Sequence, residues 1–567
     1  MVEAKWILKD AGQTNIPTNY AYLPRIVQHL LKVRGYTTPD ELENFLNPQL
    51  KKLTDPFLIG EMKEAVDLIL EAVEQGREIT LFGDYDVDGI TSVALIYKVL
   101  QGYGVTPNTI IPLRGSEGYG LTEKAIERCL DSFPSTELLI TMDCGTSSVD
   151  EVAKLREAGL DVIILDHHEP NTDVRPPCNA IVNPKACFTP NTSGDYSYLC
   201  AAGVVFKVCH ALLKTHMIQT VKLKDLLDLV AIATVADIVP LIGENRILVR
   251  HGLRALATTD KPGLIALKKV SGVPELPEAG DIGFKIGPRI NAAGRMQSPL
   301  DALETILTES SKQAEHLVAR LNQYNVSRQN HEKEIQQEAY DAITEGSLHE
   351  QHCIIVGKKG WHPGVVGIVA SRIMRKYFKP CFVIAFDEKG EGKGSGRSLN
   401  ELSLVNALEA SRDLLIAGGG HHVAAGLSIK QENLNAFRTT VNTYFNENST
   451  AEARAPRIMI DADVDFDELS FSFLDSYDKL KPFGSKNPQP VFITRGVTLA
   501  RPPRELKNKH LKLALSQKGA MRDAMFFSGA ESPLPPEPWD ICYTVDRNIF
   551  RGNISLQITI KQVRTTK

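Results

Sequence analysis

The sequence predicts an α/β protein: a domain on a parallel sheet, a long connecting helix, a second α/β domain and a small C-terminal β-barrel. Three observations carry that expectation. Short β-branched runs (ITLF from Ile79, ELLI from Glu137, DVIIL from Asp161) alternate with segments of helical periodicity, the pattern of βαβ units. These runs lack polar alternation and are bounded by Gly or Asp, as strands buried on both faces are. After the polar break NENSTAEARAP, period-two alternation takes over in HLKLALS, ICYTVDRN and ISLQITIKQVR, which suits antiparallel strands.

Taken in order, residues 1–75 read as a helical, polar lead-in ending in EMKEAVDLILEAVEQG. Residues 76–299 hold the first α/β domain. ITLFGD is a strand, GITSVALIYKVLQGYG a helix, TPNTIIPL and ELLITMD strands, SVDEVAKLREAG a helix and DVIILDHH a strand. AAGVVFKVCHALLKT and KDLLDLVAIATVADIVPL follow as helices. Residues 300–346, free of proline, repeat apolar positions on one narrow stripe and read as a connecting helix. Residues 347–447 resume the alternation with CIIVGK, GVVGIVASRIMRKYF and CFVIAFD. Residues 457–567 form the barrel; from 491 on, thirteen basic residues face six acidic ones, a local charge of +7. A small barrel with a positive face suits single-stranded nucleic acid.

Composition narrows the function classes. At 567 residues several domains are expected. No apolar run reaches membrane-spanning length, since LLDLVAIATVADIVPLI is broken by Asp228 and Asp237. MVEAKWILKD shows no signal-peptide core. Nine dispersed cysteines without a CxxC pair point to a reducing cytoplasm, not a disulfide framework or zinc ribbon. The net charge of -5 does not advertise nucleic acid, but acidic clusters filled with metal are neutralised locally.

Four acidic clusters lie at the ends of apolar runs: FGDYDVDGITS, TMDCGTS, LDHHE and ATVADIVPL. Ligands bind at strand ends in open α/β sheets, and carboxylates beside a hydrophobic core need a compensating charge. One Asp in such a turn is ordinarily a helix cap. Asp84, Asp86 and Asp88 together, with Asp143 and Asp166 at other strand ends, favour divalent metal. Asp143 is a candidate bridge between two ions, and Cys144 a packing residue. His167 and His168 add imidazoles, which suit manganese, iron or zinc, while carboxylates suit magnesium and manganese. Asp237, in an apolar helical stretch, is costly without a partner. IGPRINAAGR offers Arg289, Asn291 and Arg295, either as a packing loop with surface arginines or with Arg289 facing phosphate. KGSGRS and AGGGHHVAAG, with Ser395, Arg397 and His421, read as glycine-rich phosphate cradles with backbone donors.

These stretches, together with GYGLT, WHPGVVGIVASR and KPFGSKNPQPVF, resemble the DHH phosphoesterase superfamily, and within it the bacterial single-strand-specific exonucleases over nearly the full chain. The resemblance implies a DHH domain, a connecting helix, a DHH-associated domain and an OB-fold. It implies stepwise 5′-to-3′ hydrolysis of single-stranded DNA to mononucleotides in recombination and repair, with two divalent cations, Mn2+ or Mg2+. Carried over by position, Asp84, Asp86 and Asp143 hold one ion; Asp88, Asp143, His167 and Asp237 hold the other. His168 lies by the scissile phosphate, where it and Arg289 offset charge. Arg114, Ser395 and Arg397 receive the 5′ end, with Tyr119, Arg289, Asn291 and His421 along the path. A monomer, a single-stranded-DNA-binding protein and a RecQ-like helicase as partners, and no membrane complete the expectation. One departure stands out: the glycine usual before Asn-Pro in the PFG segment is Lys486 here, so the local turn is where a difference is expected. A phosphodiesterase for short oligonucleotides or dinucleotides leaves 457–567 without a task. An inactive replication scaffold is disfavoured because every acidic position is present.

Overall fold

The computed structural model describes residues 4–12, 15–170, 173–186, 190–399, 401–450, 455–550 and 553–566. Two compact units emerge: one from Thr54–Val239 and His251–Pro456, the other from Ala4–Leu53, Pro240–Arg250 and Arg457–Lys567.

The first unit contains the expected parallel sheet. Its strand order is Asn108–Ile110, Ile79–Gly83, Leu138–Met142, Asp161–Leu165, Ala180–Val182. Ile79–Gly83 and Leu138–Met142 are buried along their whole length, which explains their mainly apolar character; the hydroxyls of Thr80 and Thr141 are satisfied by Thr136 and by Cys144 O. Gly83 pairs with Met142 and Met142 with Leu165, so the carboxyl ends are level. The helices Val87–Gly102, Ala201–Thr215 and Leu227–Ala236 pack together. The last has almost no polar face because eight of its ten residues are buried.

Residues 300–346 are not one helix. Leu300–Leu307 ends at Thr308, and Ser311–Glu345 begins after Ser310, whose hydroxyl accepts the Gln313 N–H. Ser310 has the side chain of an N-cap, and a local cap overrides apolar periodicity that runs straight through the break. Beyond this helix lies a second sheet, in the order Leu415–His421, Ala424–Lys430, Glu391–Arg397, Cys381–Phe386, Ile354–Lys359.

In the second unit, strands Phe492–Leu506, His510–Gln517, Ala520–Phe526, Asn553–Thr565 and Trp539–Phe550 close on themselves, since the last pairs back to the first. The lead-in expected over 1–75 is divided. Lys5–Leu8 pairs with Arg457–Ile460, and Leu30, Leu31, Leu42 and Phe45 share one core with Phe473, Phe492, Trp539 and Tyr543. Met62–Gln75 belongs to the first unit. The amphipathic helix Arg25–Val33 buries Ile26, Val27, Leu30 and Leu31; that stripe needs a partner, and the barrel core supplies it. Arg246 adds a polar clamp, donating to the carbonyls of Phe45, Leu480, Lys479 and Lys481. A truncation at 457 therefore strips the covering from these N-terminal helices.

Lys486 keeps the turn by adopting the left-handed conformation, with φ 57°. Gly484 pairs with Asn487, whose buried amide donates to the carbonyls of Leu480 and Pro482. A side chain in that conformation costs on the order of 1 kcal/mol. Lys486→Gly is expected to stabilise the unit by about that amount, read as a raised urea midpoint at unchanged m-value.

Among the described residues, no helix is long and apolar enough to cross a membrane. The eight described cysteines are free and buried.

Candidate metal centre and cationic cavity

The level strand ends place three aspartates side by side. Asp84 N–H donates to Met142 O, Asp143 N–H to Leu165 O and Asp166 N–H to Val182 O, so each extends the sheet ladder by one rung. The following turn folds tightly: a Cβ on Gly89 would lie 2.4 Å from Asp84 O, so only glycine permits the approach. Asp86 Oδ1 accepts the Asp88 and Gly89 N–H groups and caps helix Val87–Gly102. The Asp88 carboxylate turns to the next element, accepting Ala201 and Ala202 N–H at the start of helix Ala201–Thr215. Asp143 sits at φ 63°, a strained conformation of the kind that marks functional sites.

The predicted ligands converge. Asp84, Asp86 and Asp143 form one group; Asp88, His167 and Asp237 form a second; Asp143, His167 and His168 form a third, with donor atoms in each group within 4.8 Å of one another. His167 Nε2 lies 3.3 Å from Asp143 Oδ1, and 3.7 Å from both Asp88 Oδ2 and Asp237 Oδ2. Burial, reinforced by the neighbouring carboxylates, pushes the Asp84 and Asp143 carboxyls well above the usual range. The same causes raise Asp88 to about 6 and Asp237 to about 8. Burial pushes His167 down to about 3, which leaves a neutral imidazole with a lone pair to offer.

Asp166 does a different job from its neighbours. Its Oδ2 accepts the Thr146 N–H and hydroxyl, and its Oδ1 accepts both histidine N–H groups and bonds His168 Nδ1 at 2.8 Å. Burial opposes ionisation, but these bonds and the two imidazoles outweigh it and hold the carboxyl well below its usual range. His168 is thereby fixed, with Nε2 3.1 Å from the Tyr119 hydroxyl. Burial works against its charge, yet Asp166, Asp237 and Asp88 raise it to about 9. Asn183 completes the frame, donating to Thr146 Oγ1 and His168 O. Sequence reasoning missed Thr146 and Asn183, because neither stands in a recognisable ligand pattern.

The donor set fits divalent cations. Asp84 Oδ1, Asp143 Oδ1 and His167 Nε2 are buried without a hydrogen-bond partner, a costly state for polar atoms. Carboxylate oxygens with one imidazole match the preferences of manganese and magnesium.

Beside the cluster lies a cavity of about 710 Å3, lined among others by Arg114, Arg295, His362, Lys393, Ser395 and Gly426. Its floor corrects the expectation of glycine cradles. KGSGRS is the interior strand Glu391–Arg397, and AGGGHHVAAG supplies the hairpin strands beside it. The backbone of Glu391–Arg397 is paired on both sides, whereas Leu415–His421 is the edge strand and is paired on one side only. Cβ atoms on Gly392, Gly394 and Gly396 would lie 2.5–2.9 Å from Phe386, Ile384 and Phe382, so these glycines admit large side chains on one face. Lys393, Ser395 and Arg397 take the other. His421 pairs with Ala424 and Ala424 with Arg397, so His421 joins that face at its exposed edge. The Arg114 guanidinium stands 5.2 Å over the Tyr85 ring.

IGPRINAAGR is likewise no loop but the helix Gly287–Met296, preceded by a π-helical turn. Asn291 Oδ1 accepts the Val87 N–H and braces the aspartate turn. Arg289 donates Nε to Asn322 Oδ1 and Nη1 to Lys285 O, contacts with helical neighbours rather than with the carboxylates.

Residues 78–234 match the model of the DHH family N-terminal domain, 350–447 the DHHA1 domain and 460–562 the RecJ OB domain. The chain is 35% identical over 534 residues to the single-stranded-DNA-specific exonuclease RecJ of Bacillus subtilis, covering 93% of this chain and 66% of that protein. It is 32% identical over 563 residues to RecJ of Haemophilus influenzae, covering 95% and 96%. The crystal structure of Thermus thermophilus RecJ in complex with Mn2+ superposes with a TM-score of 0.83 at 28% identity, covering 99% of this chain and 80% of that one. With the carboxylate cluster and all three domain types in the same order, the chain belongs to the RecJ family of DHH proteins.

Proposed function

We propose that this chain is a metal-dependent exonuclease that degrades single-stranded DNA from the 5′ end to mononucleotides, in recombination and repair. The convergence of Asp84, Asp86, Asp88, Asp143, His167 and Asp237 from distant segments carries the reading. Relatives named single-stranded-DNA-specific exonucleases and the Mn2+ complex of a related structure support its exonuclease and metal parts. In the proposed division, 76–299 cuts, 300–346 connects, 347–447 receives the strand end and 457–567 holds the strand.

Asp84, Asp86 and Asp143 hold one divalent cation, Mn2+ or Mg2+; Asp88, Asp143, His167 and Asp237 hold the other. Such ions lower the pKa of water and stabilise the entering and leaving oxygens of an in-line displacement. The protein's own groups do the rest. Asp166 and Tyr119 orient His168, which sits where it can donate to a phosphate oxygen. Arg114, Ser395, Arg397 and His421 bind the terminal phosphate and the first nucleotides. Asn291 keeps the aspartate turn in place, and Arg289 lines the strand path. A monomer in the cytoplasm that meets a single-stranded-DNA-binding protein and a RecQ-like helicase belongs to the same reading.

Strands labelled at either end, digested with Mn2+ and with Mg2+, test it. Early release of the 5′ label as mononucleotide is expected; early release of the 3′ label overturns the polarity. The barrel's share is tested separately. Arg501, Arg504 and Lys507 are exposed on and just beyond strand Phe492–Leu506. Changing all three to glutamine is expected to lower the slope of log affinity against log salt by about 2, at roughly 0.7 per phosphate. Filter binding on one oligonucleotide across a salt series measures it.

A further inference from the structure

The helix Gly287–Met296 touches the aspartate turn at two points. Asn291 Oδ1 accepts the Val87 N–H at 3.1 Å. Further along, Gly294 lies so close that a Cβ there would sit 2.8 Å from Tyr85 O and 3.1 Å from Tyr85 Cβ. Tyr85 stands between Asp84 and Asp86, so this contact sets the backbone carrying two ligands of one proposed ion. The next residue reaches the opposite way. Arg295 Nη1 donates to Gly364 O at 2.9 Å, and a Cβ on Gly364 would sit 2.8 Å from Arg295 O. Guanidinium and main chain thus both meet the His362–Gly364 loop, which leads into the helix Val366–Tyr377 of the DHHA1 domain. Arg295, His362 and Gly364 also line the cationic cavity.

We infer that Arg295 is a positioning residue: with Gly294 it makes the helix Gly287–Met296 a strut that fixes the spacing between the strand-end cavity and the metal turn. This rests on the function proposed above. A strand whose terminal phosphate is held in the cavity presents to the metal centre whichever phosphodiester lies at that spacing. A rigid strut therefore selects one bond, and mononucleotide release follows from geometry. The contact needs its present composition. A backbone carbonyl buried against a guanidinium gains a charge-assisted hydrogen bond, and the glycines at 294 and 364 are required by the close approach on either side. Tyr85 is drawn in from the cavity side as well, through Arg114 over its ring.

Loosening the strut has two consequences that lost cavity charge does not. Product length becomes mixed, and the aspartate turn binds metal less well without any DNA present. The test compares Arg295→Ala, Arg295→Lys and Gly364→Ala in the full-length protein. Gly364→Ala leaves Arg295 intact but wedges the same contact apart, so it guards against a folding or charge effect peculiar to Arg295. Product lengths from a 5′-phosphorylated strand are resolved on gels, and Mn2+ affinity is measured by calorimetry without DNA. Arg295→Ala and Gly364→Ala are expected to release dinucleotides alongside mononucleotides and to weaken Mn2+ binding several-fold. Arg295→Lys, which keeps a charge and a donor for Gly364 O, is expected to stay close to wild type in both. Mononucleotides alone with wild-type Mn2+ affinity in Arg295→Ala and Gly364→Ala overturn the strut, even if kcat/KM falls. A wild-type protein that leaves single strands intact in Mn2+ overturns the exonuclease reading instead.

Discussion

Asp143→Asn is expected to lower turnover by at least about a thousandfold, the scale of a lost transition-state stabiliser. Asp143 is the one carboxylate that takes part in both the Asp84–Asp86 group and a histidine group, so its loss disturbs both proposed ions. Asparagine is the informative replacement. It keeps the side-chain shape and tolerates the left-handed backbone at φ 63°, whereas alanine adds a conformational cost. The electrostatics give a second readout. Asp143 is buried among Asp88, Asp86, Asp84 and Asp237, which all oppose its ionisation. Asparagine removes a carboxyl whose ionised form burial, and then these neighbours, disfavour in the metal-free protein, so the variant is expected to melt at or above the wild-type temperature in chelator. Adding Mn2+ at a hundred times its Kd stabilises the wild type by about 2.7 kcal/mol, and this gain is expected to vanish in the variant. Strand binding should persist, because the barrel's basic residues are untouched. Near-wild-type turnover, or an intact Mn2+ stabilisation, sinks the bridging role.

Arg397→Ala is expected to impair attack on 5′-phosphorylated ends more than on 5′-hydroxyl ends. Losing a charge-assisted pair costs roughly 1.5–3 kcal/mol, or about one to two decades in kcat/KM. The placement of Arg397 explains why this side chain is poised. Its strand carries glycines on one face for Phe382, Ile384 and Phe386, and Lys393, Ser395 and Arg397 on the other. Gly367 opens the space above: a Cβ there would lie 3.3 Å from Ser395 Oγ and 3.4 Å from Arg397 Nη2. Burial, only partly offset by Cys381 and reinforced by Arg114, lowers the Arg397 pKa, and an arriving phosphate would supply counter-charge. The measurement is the ratio of kcat/KM for phosphorylated and unphosphorylated strands in both proteins. Equal slowing of the two substrates assigns Arg397 to the scissile phosphate or the fold and removes it from end recognition.

The amino-acid sequence by itself determined the local parts of this protein. Ile79–Gly83, Leu138–Met142 and Asp161–Leu165 are legible because strands buried on both faces must be mainly apolar without polar alternation, and the aspartates after them mark where that requirement stops. Ala201–Thr215 coincides with its apolar segment because that helix too is nearly enclosed. The candidate ligands could be nominated because buried carboxylates without a counter-charge are too costly to be accidental. Other features were decided only by tertiary structure. Whether Asp166 holds a metal or orients a histidine depends on Thr146, which lies twenty residues away in sequence and within a hydrogen bond in space. KGSGRS reads as a turn because isolated glycine favours turns; the packing of Phe382 and Phe386 across the sheet makes it a strand. Arg25–Val33 shows an apolar stripe but not its partner, and the barrel that covers it comes more than four hundred residues later. Propensity and periodicity act over a few residues, while burial is settled by whichever surface arrives. The strand ends were therefore readable, but the strut between Tyr85 and Gly364, built from contacts among distant segments, was not.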